Sequence, residues 1–360
     1  MSAFWNPRLF DLRPYTPGEQ PRGQEMIKLN TNENPYPPSP RVLAALVAAL
    51  QPDGGTLRLY PDPDAANLKA ALARHYRLSP AEVFVGNGSD EVLAFVFLAL
   101  LKQSRPLLFP DITYSFYPSY CRLYEIEYQT IPLAEDFSLD LQPYLARSPK
   151  EAGGIIFPNP NAPTGRALPL SAIAELARRQ AELPIVIDEA YVDFGAETAA
   201  SLIHEYPNLL VTQTFSKSRA LAGLRVGFAL GDAALIEGLE RVKNSFNSYP
   251  LDRLAQAGAL AALEDASWFE HTRRSIMRSR ERLTEGLSAQ GLIVLPSLAN
   301  FIFARHPARS GAELLAALKA RHILARRFDA PRIYDYLRIS IGTEKENDAL
   351  LRAFADVLSR

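Results

Sequence analysis

The sequence predicts an α/β fold, in which a mainly parallel sheet is followed by a smaller α+β domain. Up to about residue 245, short apolar runs alternate with helical patterns, which is typical of parallel strands covered by helices on both faces. Beyond residue 245, longer helical patterns enclose a few short strands. A chain of 360 residues is long enough for two domains. We therefore expect an N-terminal arm over residues 1–40, a large domain over residues 41–245 and a small C-terminal domain over residues 246–360.

The elements of the large domain follow from its apolar runs and its helix-start residues. Ser39 and Pro40 favour a helix N-terminus, so a helix is expected over residues 41–50. Seven apolar runs are candidate strands of the main sheet, at residues 83–85, 107–109, 126–131, 154–157, 185–187, 209–212 and 226–230. Helical patterns between them cover residues 90–102, 170–180 and 233–244. Ligands of such sheets normally bind at the carboxyl ends of the strands.

The two ends of the chain differ from the large domain in composition and in hydrophobic pattern. The first forty residues are rich in proline, asparagine and glycine, which predicts an extended arm rather than a packed element. A long helical stretch over residues 253–290 is expected to join the small domain to the large one. In the small domain we predict strands at residues 292–295, 299–304 and 336–341 and helices at residues 312–321 and 345–358.

The composition excludes several classes of partner and site. A formal net charge of -1 gives no electrostatic reason to expect a nucleic acid or an anionic membrane as partner. The single cysteine, Cys121, excludes an intramolecular disulfide and a cysteine-built metal site, and we expect no metal. The longest apolar stretch, residues 92–101, is too short to span a bilayer, and the first twenty residues lack the layout of a signal peptide. A soluble cytoplasmic protein is expected.

Lys217 is the first candidate for chemistry. The run Thr214-Phe215-Ser216-Lys217 comes directly after the predicted strand at residues 209–212. A lysine that forms a Schiff base must be held rigidly and lose its proton easily, and the end of a buried strand suits both needs. Taken alone, the motif also fits a surface lysine at a helix start. A hydrolase with a serine–lysine pair would need the spacing S-x-x-K, which is absent around this lysine.

A second candidate is Asp188, in a run that continues to Glu189, Ala190 and Tyr191. A carboxylate that comes just after an apolar parallel strand is expected to point into the ligand crevice. An Asp-Glu pair at this place is also typical of magnesium sites in nucleotide-binding proteins. That alternative needs the phosphate loop G-x-x-x-x-G-K-[ST], which the chain does not contain.

Two loops complete the pattern. Gly86-Asn87-Gly88-Ser89-Asp90 lies between a strand and a helix, where backbone N–H groups favour a phosphate, although Ser89 or Asp90 is equally compatible with an ordinary helix cap. Asn159-Pro160-Asn161-Ala162-Pro163-Thr164-Gly165 reads by itself as a turn. The loop becomes informative because it precedes Asp188 and Lys217 in a fixed order along the chain.

These four motifs, in this order along nearly the whole chain, resemble those of the fold type I pyridoxal-phosphate (PLP) aminotransferases. The resemblance implies PLP as the cofactor, with Lys217 as the Schiff-base lysine and Asp188 as the carboxylate that keeps the pyridine nitrogen protonated. It implies that Tyr191 hydrogen-bonds the phenolic oxygen and that Tyr114 stacks on the ring. The further cofactor-binding residues that it implies, mostly at the phosphate, are Gly88, Ser89, Asp90, Thr214, Ser216 and Arg225.

One position departs from that family pattern. The asparagine that contacts the phenolic oxygen normally comes directly before the proline of Pro-Thr-Gly, where this chain has Ala162. We therefore expect Asn161, one residue earlier, to contact the phenolic oxygen instead.

Motifs nearer the ends resemble histidinol-phosphate aminotransferases. The run from Lys28 to Pro35 is similar to their L-N-x-N-E-N-P arm, and Arg58-Leu59-Tyr60-Pro61-Asp62 is similar to their R-Y-P-D stretch. The resemblance implies that Tyr60 reaches the cofactor phosphate of a neighbouring subunit, and hence a homodimer in which the arm packs on the small domain and on the partner. The substrate-binding residues that it implies are Arg338 for a carboxylate and Arg326, Tyr15 and Asn32 for the phosphorylated substrate.

The activity implied is transamination between histidinol phosphate and 2-oxoglutarate, a step of histidine biosynthesis. The same motifs leave open an aromatic amino-acid aminotransferase and a threonine-phosphate decarboxylase. A PLP-sensing regulator without turnover would carry a DNA-binding domain before the aminotransferase pattern. That pattern begins by residue 28, so we expect no such domain.

Overall fold

The secondary structure follows the predicted alternation of strands and helices. The computed structural model describes residues 4–10, 12–21 and 25–359. Along these residues the strands are β1 (Ile27–Lys28), β2 (Val83–Gly86), β3 (Leu107–Pro110), β4 (Tyr128–Ile131), β5 (Gly154–Pro158), β6 (Ile185–Asp188), β7 (Leu209–Thr214), β8 (Gly227–Gly231), β9 (Ile293–Val294), β10 (Phe301–Arg305), β11 (Ile323–Leu324), β12 (Arg326–Arg327) and β13 (Leu337–Ser340). The α-helices are α1 (Pro40–Leu50), α2 (Ala66–Tyr76), α3 (Gly88–Val96), α4 (Tyr117–Tyr124), α5 (Gln142–Leu145), α6 (Leu170–Arg179), α7 (Ala233–Phe246), α8 (Arg253–Glu264), α9 (Ala266–Ala289), α10 (Gly311–Lys319) and α11 (Glu344–Leu358).

The large sheet has seven strands in the order β2-β8-β7-β6-β5-β3-β4. Neighbours from β4 to β7 pair in parallel, whereas β8 runs antiparallel to both of its neighbours. All seven strands predicted between residues 83 and 230 belong to this sheet, with ends shifted by at most two residues. The predicted fold class, a mainly parallel seven-stranded sheet with a smaller α+β part, is confirmed.

Both faces of the large sheet are buried. Along β5 and β6, Ile155 and Ile187 pack into the core on one face, while Ile156 and Val186 pack into the core on the other. This alternation follows from the two-residue repeat of a strand, and burial on both sides explains why the runs are apolar throughout. Burying each such side chain stabilises the fold by about 1.5–3 kcal/mol.

The long helical stretch predicted over residues 253–290 is two helices, because Asp265 interrupts it. The Asp265 carboxylate accepts a hydrogen bond from the backbone N–H of Trp268 at 3.2 Å and so caps α9. The same carboxylate accepts a hydrogen bond from Ser39, the N-cap residue of α1. Aspartate favours helix caps over helix interiors because its side chain competes for backbone N–H groups. Among the described residues no helix, including the 24-residue α9, is both long and apolar enough to cross a membrane.

The helix α8 contributes to the core of the large sheet. Its residues Ala255, Ala259 and Leu263 belong to the same buried cluster as Ile155 and Ile187. The apolar residues of α9, by contrast, pack with those of the small sheet. The division into domains at residue 245 stays a prediction, and this packing favours a boundary near the end of α8.

The small sheet is antiparallel and has the order β12-β13-β10-β9. The arm is attached next to this sheet through β1, which pairs in parallel with β11 in a separate two-stranded sheet, and through Leu29, which is buried in the small core. The backbone of the arm continues this contact, since the N–H of Ser340 donates to the carbonyl oxygen of Leu29 at 2.9 Å. Residues after Leu29 therefore pass between the small sheet and the ends of the large one.

Candidate active site

A cavity of about 480 Å³ lies at the carboxyl ends of the parallel strands β5, β6 and β7. The start of α3, the small sheet and the arm form the remaining walls. The predicted site residues that line it are Tyr15, Asn32, Ser89, Asp90, Tyr114, Asp188, Tyr191, Thr214, Ser216, Lys217, Arg225, Arg326 and Arg338. The structure thus brings together residues from both ends of the sequence, from Tyr15 in the arm to Arg338 in the small sheet.

Lys217 lies in the turn that follows β7. The backbone around it is fixed by Asn34, whose amide Nδ2 donates to the carbonyl oxygens of Lys217 at 3.0 Å and of Ser218 at 3.2 Å. The ammonium nitrogen Nζ donates to the carbonyl oxygen of Thr31 at 3.2 Å. It therefore has one neutral acceptor and no carboxylate in direct contact among the described residues.

This environment favours the neutral amine. Burial lowers the pKa of Lys217 to about 8, and the positive charge of Arg338 acts in the same direction. Glu33 and Asp90 oppose the shift, and Arg225 adds a smaller decrease. A substantial share of the lysine is therefore uncharged slightly above neutral pH, as a group that accepts a proton must be.

Asp188 ends β6, and its side chain points into the cavity. The carboxylate accepts hydrogen bonds from the phenol of Tyr117 at 3.0 Å and from the N–H of Ala190 at 3.3 Å. Burial raises the pKa of Asp188 to about 6, although the Tyr117 hydroxyl and the Ala190 N–H act against the increase. No described cation pairs with this buried carboxylate, which suits it to hold a protonated nitrogen of a ligand.

Glu189, the next residue, lies on the opposite side of the chain and does not line the cavity. Its carboxylate accepts hydrogen bonds from Thr198 Oγ1 at 2.6 Å, from the N–H of Ala199 at 2.6 Å and from Gln213 Nε2 at 2.8 Å. Burial raises the pKa of Glu189 to about 8. Because successive residues of a strand point to opposite sides, only the first carboxylate of the Asp-Glu pair is available to a ligand.

An anion-binding corner is formed where α3 begins. The Arg225 guanidinium lies 3.2 Å from the Asp90 carboxylate, and its Nη1 donates to Ser216 Oγ at 3.4 Å. Gly88 lies directly beneath it with a φ of +81°, and a Cβ there would lie 2.4 Å from Nη2 of Arg225. Glycine is needed both for the backbone angle and for this close approach. The free N–H groups of the α3 start and the guanidinium together favour a phosphate.

Of the tyrosines that line the cavity, Tyr114 and Tyr191 are fixed by hydrogen bonds of their hydroxyl groups. Tyr114 donates to the Asp90 carboxylate at 3.0 Å, which fixes its ring next to the anion-binding corner. The hydroxyl oxygen of Tyr191 accepts a hydrogen bond from Asn32 Nδ2 at 2.9 Å, and its ring packs edge-on against Phe301. Burial raises the pKa of both tyrosines, so both are protonated at neutral pH.

The small sheet supplies two arginines. Arg338 donates through Nη2 to the carbonyl oxygen of Asn30 at 2.9 Å, and its buried Nε has no hydrogen-bond partner among the described residues. A buried cationic N–H without an acceptor favours an anionic ligand. Arg326 donates to the carbonyl oxygens of Thr16 and Pro17 at 3.1 Å and 3.2 Å and so holds the arm over the cavity.

Three predicted site residues do not line the cavity of this chain. Gly88 lies behind Arg225. The amide Nδ2 of Asn161 donates to the carbonyl oxygen of Ile112 and to Thr164 Oγ1, both at 3.0 Å, so the group expected at the cofactor is already used elsewhere. Tyr60 is 78% exposed and stacks on Tyr249 at 4.7 Å.

The sequence analysis missed two residues that hold the site. Asn34, which fixes the backbone of Lys217, is part of the arm motif that we quoted, so that motif contained the signal. Tyr117, which donates to Asp188, follows Tyr114 by three positions at the start of α4. No local pattern marks it, because its partner lies 71 residues away in the sequence.

Comparison with known proteins agrees with this geometry. The family described as aminotransferase class I and II matches residues 24–354. A histidinol-phosphate aminotransferase of Dechloromonas aromatica is 59% identical over 99% of this chain and 99% of its own length. One of Methylococcus capsulatus is 57% identical over 100% of this chain and 99% of its own length.

A solved structure resembles the whole chain. It is a histidinol-phosphate aminotransferase from Sinorhizobium meliloti in complex with pyridoxal-5'-phosphate, and it aligns with a TM-score of 0.89 and 26% identity. The alignment covers 100% of this chain and 98% of the other. The matched family, the full-length relatives and the site lead to one conclusion: this chain belongs to the class I and II aminotransferases.

Proposed function

We propose that this chain is a PLP-dependent aminotransferase that exchanges an amino group between histidinol phosphate and 2-oxoglutarate. The observation that carries the proposal is the cavity at the ends of the parallel strands, which Lys217, Asp188 and three arginines line together. Two relatives that are 57% and 59% identical over their full length are histidinol-phosphate aminotransferases, which supports the choice of substrate.

The residues present fit PLP. The Lys217 amine would hold the aldehyde, the Asp188 carboxylate would hold the ring nitrogen, and the phenol of Tyr191 would donate to the phenolic oxygen. The phosphate would be held by Arg225 and Ser216 with the N–H groups at the start of α3, next to which Gly88 leaves room that a Cβ would fill. When bound, PLP acts as an electron sink that makes the substrate carbon beside the amino group acidic.

Lys217 has the properties of the group that moves the proton. With its pKa near 8, the uncharged Nζ is available to take a proton from the substrate carbon and to return it later. Asn34 keeps the lysine backbone in place, so the side chain alone has to move. Asp188 assists from the far end, because its negative charge keeps a proton on the ring nitrogen.

The two arginines of the small sheet serve the substrates. Arg338 would pair with the carboxylate next to the amino group of glutamate, and its unpartnered Nε is the donor that such a carboxylate needs. Arg326 would pair with the phosphate of histidinol phosphate. Its terminal nitrogens donate to the arm, so phosphate binding and the position of the arm are coupled through this side chain.

Asn161 is no longer our candidate for the phenolic oxygen, since its amide donates to Ile112 and Thr164. Ala162, which lines the cavity where the family asparagine would be, has no side-chain donor. Asn32 Nδ2 reaches the hydroxyl of Tyr191 at 2.9 Å, and we assign to Asn32 the orientation of that phenol.

The functional unit that we propose is a homodimer. Tyr60 is exposed, as are Leu57 and Leu59, which lie close to it in the sequence, and Tyr249, on which its ring stacks. Such a group of side chains favours association with a second copy. In that dimer Tyr60 would reach the cofactor phosphate of the partner subunit. Sedimentation analysis tests the dimer, and a monomer at micromolar concentration would contradict it.

One assay tests the proposed activity. Purified protein is loaded with PLP and supplied with histidinol phosphate and 2-oxoglutarate, and glutamate formation is measured. Phenylalanine with 2-oxoglutarate is assayed in the same way to test the aromatic aminotransferase, and CO2 release from threonine phosphate is measured to test the decarboxylase. The expected result is turnover with histidinol phosphate at the highest kcat/KM and none in Lys217→Ala. Absence of PLP binding by the unaltered chain would refute the whole proposal.

We also propose a cytoplasmic location and the division of the chain into an arm, a large domain and a small domain at residues 40 and 245. Cell fractionation tests the location. Limited proteolysis tests the domain boundaries, and we expect the first cuts in the arm before β1, because the described residues of that segment are mostly exposed.

A further inference from the structure

The segment that carries Tyr60, residues 58–64, is tied to the rest of the chain through its own backbone. Three side chains of α7 and α8 donate hydrogen bonds to its carbonyl oxygens. The bonds are Arg253 Nη2 to Tyr60 O (3.1 Å), Gln256 Nε2 to Asp62 O (2.8 Å) and Lys243 Nζ to Pro63 O (3.3 Å). Contacts of this kind fix the path of a segment without regard to its side chains.

Lys243 is the unusual member of this set, because only 1% of it is exposed. A buried ammonium is costly unless it is paired. Its Nζ lies 2.7 Å from one carboxylate oxygen of Glu240 and 3.6 Å from the carboxylate of Asp64, which belongs to the Tyr60 segment. The other oxygen of Glu240 pairs with Lys69 at 2.8 Å. The four charges compensate each other, and one of them lies in the segment itself.

The segment held in this way exposes its own side chain. Tyr60 is 78% exposed, and its ring stacks on Tyr249 with a centroid distance of 4.7 Å. Fixing an exposed tyrosine does not extend the hydrophobic core of its own chain. It is useful if the tyrosine binds a site outside this chain, since a side chain that is ordered beforehand loses less conformational freedom on binding.

We infer that Lys243 is a positioning residue that acts in trans: it holds the Tyr60 segment so that Tyr60 completes the cofactor-phosphate site of the partner subunit. The inference rests on the proposed role of Tyr60 in the dimer. Lys243 itself contacts neither substrate nor cofactor, and replacing it is expected to weaken cofactor binding in the other subunit.

Two matched variants separate this role from general stability. Lys243→Met removes the bond to the Tyr60 segment and leaves Glu240 paired with Lys69. Lys69→Met removes the other lysine from the same carboxylate and leaves the Tyr60 segment untouched. We expect the dissociation constant of PLP to rise about tenfold in Lys243→Met, the equivalent of one hydrogen bond, and to stay unchanged in Lys69→Met.

Hybrid dimers decide whether the effect acts in trans. One subunit carries Lys217→Ala, so that only the other subunit has an intact lysine site, and PLP binding to that intact site is measured by its absorbance. With Lys243→Met on the Lys217→Ala subunit, the intact site receives Tyr60 from the altered segment, and the affinity should fall about tenfold. With Lys243→Met on the intact-site subunit, the intact site should bind PLP as tightly as it does in a hybrid dimer that lacks Lys243→Met.

The outcomes are distinguishable. Three outcomes would overturn the inference. PLP affinity could fall equally in both hybrids, it could fall only in the hybrid with Lys243→Met on the intact-site subunit, or it could fall in neither. Tyr60→Phe on the Lys217→Ala subunit serves as the reference for the proposed dimer. If that change leaves PLP affinity unaltered, the role of Tyr60 itself is wrong. If it weakens PLP and Lys243→Met does not, Tyr60 acts in trans without help from Lys243.

Discussion

Removal of the Tyr117 hydroxyl should raise the pKa of Asp188. In Tyr117→Phe the carboxylate loses its 3.0 Å hydrogen bond and keeps only the bond from the Ala190 N–H. A hydrogen bond to a charged acceptor is worth about 1.5–3 kcal/mol, and 1.36 kcal/mol corresponds to one pKa unit. Starting from about 6, the pKa of Asp188 should therefore move up by about one to two units in the variant.

The shift has a defined consequence for stability. The pKa of Asp188 in the folded chain lies above the usual value of 3.8, so its contribution to stability is greatest below pH 4 and is lost as the pH rises through about 6. In the variant this loss continues to higher pH. The unfolding free energy of the cofactor-free variant, relative to the parent, should thus fall by a further ~1.5–3 kcal/mol between pH 5 and pH 8.

Urea unfolding of both proteins without PLP, at several pH values, measures this difference. Tyr120→Phe is the matched control, because the hydroxyl of Tyr120 is bonded to the backbone oxygen of Asp90 at 2.8 Å and not to Asp188. Its destabilisation should be the same at pH 5 and pH 8. If the loss in Tyr117→Phe is also independent of pH, the hydroxyl does not control the Asp188 carboxylate and our account of this contact is wrong.

Three further changes test other parts of the site. Arg326→Gln should raise KM for histidinol phosphate about tenfold or more and leave the half-reaction with glutamate unaltered, because the lost bond is to the phosphate; an equal effect on glutamate would contradict the assignment. Gly88→Ala places a Cβ 2.4 Å from Arg225 Nη2, so fluorescence titration should show weaker PLP binding, and unaltered affinity would count against the anion-binding corner. Arg338→Gln removes a nearby positive charge, so the pKa of Lys217 should rise from about 8 toward 10.5, as followed by pH-dependent labelling of the cofactor-free chain. An unchanged value would mean that Arg338 does not contribute to the lowered pKa.

The parallel sheet could be predicted because its signal is local. Each run such as Ile185–Asp188 is apolar along its whole length, since both faces of the strand are buried, and the run itself reveals the strand. Asp188 and Lys217 follow directly from such runs, and parallel strands bring their carboxyl ends to one edge. The same reasoning failed at Asp265, where one capping side chain divides a pattern that otherwise continues.

The sequence alone determined the fold class and the family, and it placed Asp188 and Lys217 at the ends of predicted strands, because strand ends and ordered motifs depend on neighbours along the chain. Only the tertiary structure decided which groups hold these residues. Tyr117 meets Asp188, and Asn161 is turned toward Ile112, through contacts between residues that are 71 and 49 positions apart. Which side chains meet in this way depends on how the elements pack, and the apolar pattern of a strand or helix shows which face is buried but not which residue that face contacts. For the same reason Lys243, which the sequence presents as an ordinary helix charge, is in the structure a buried ammonium that holds the segment of Tyr60.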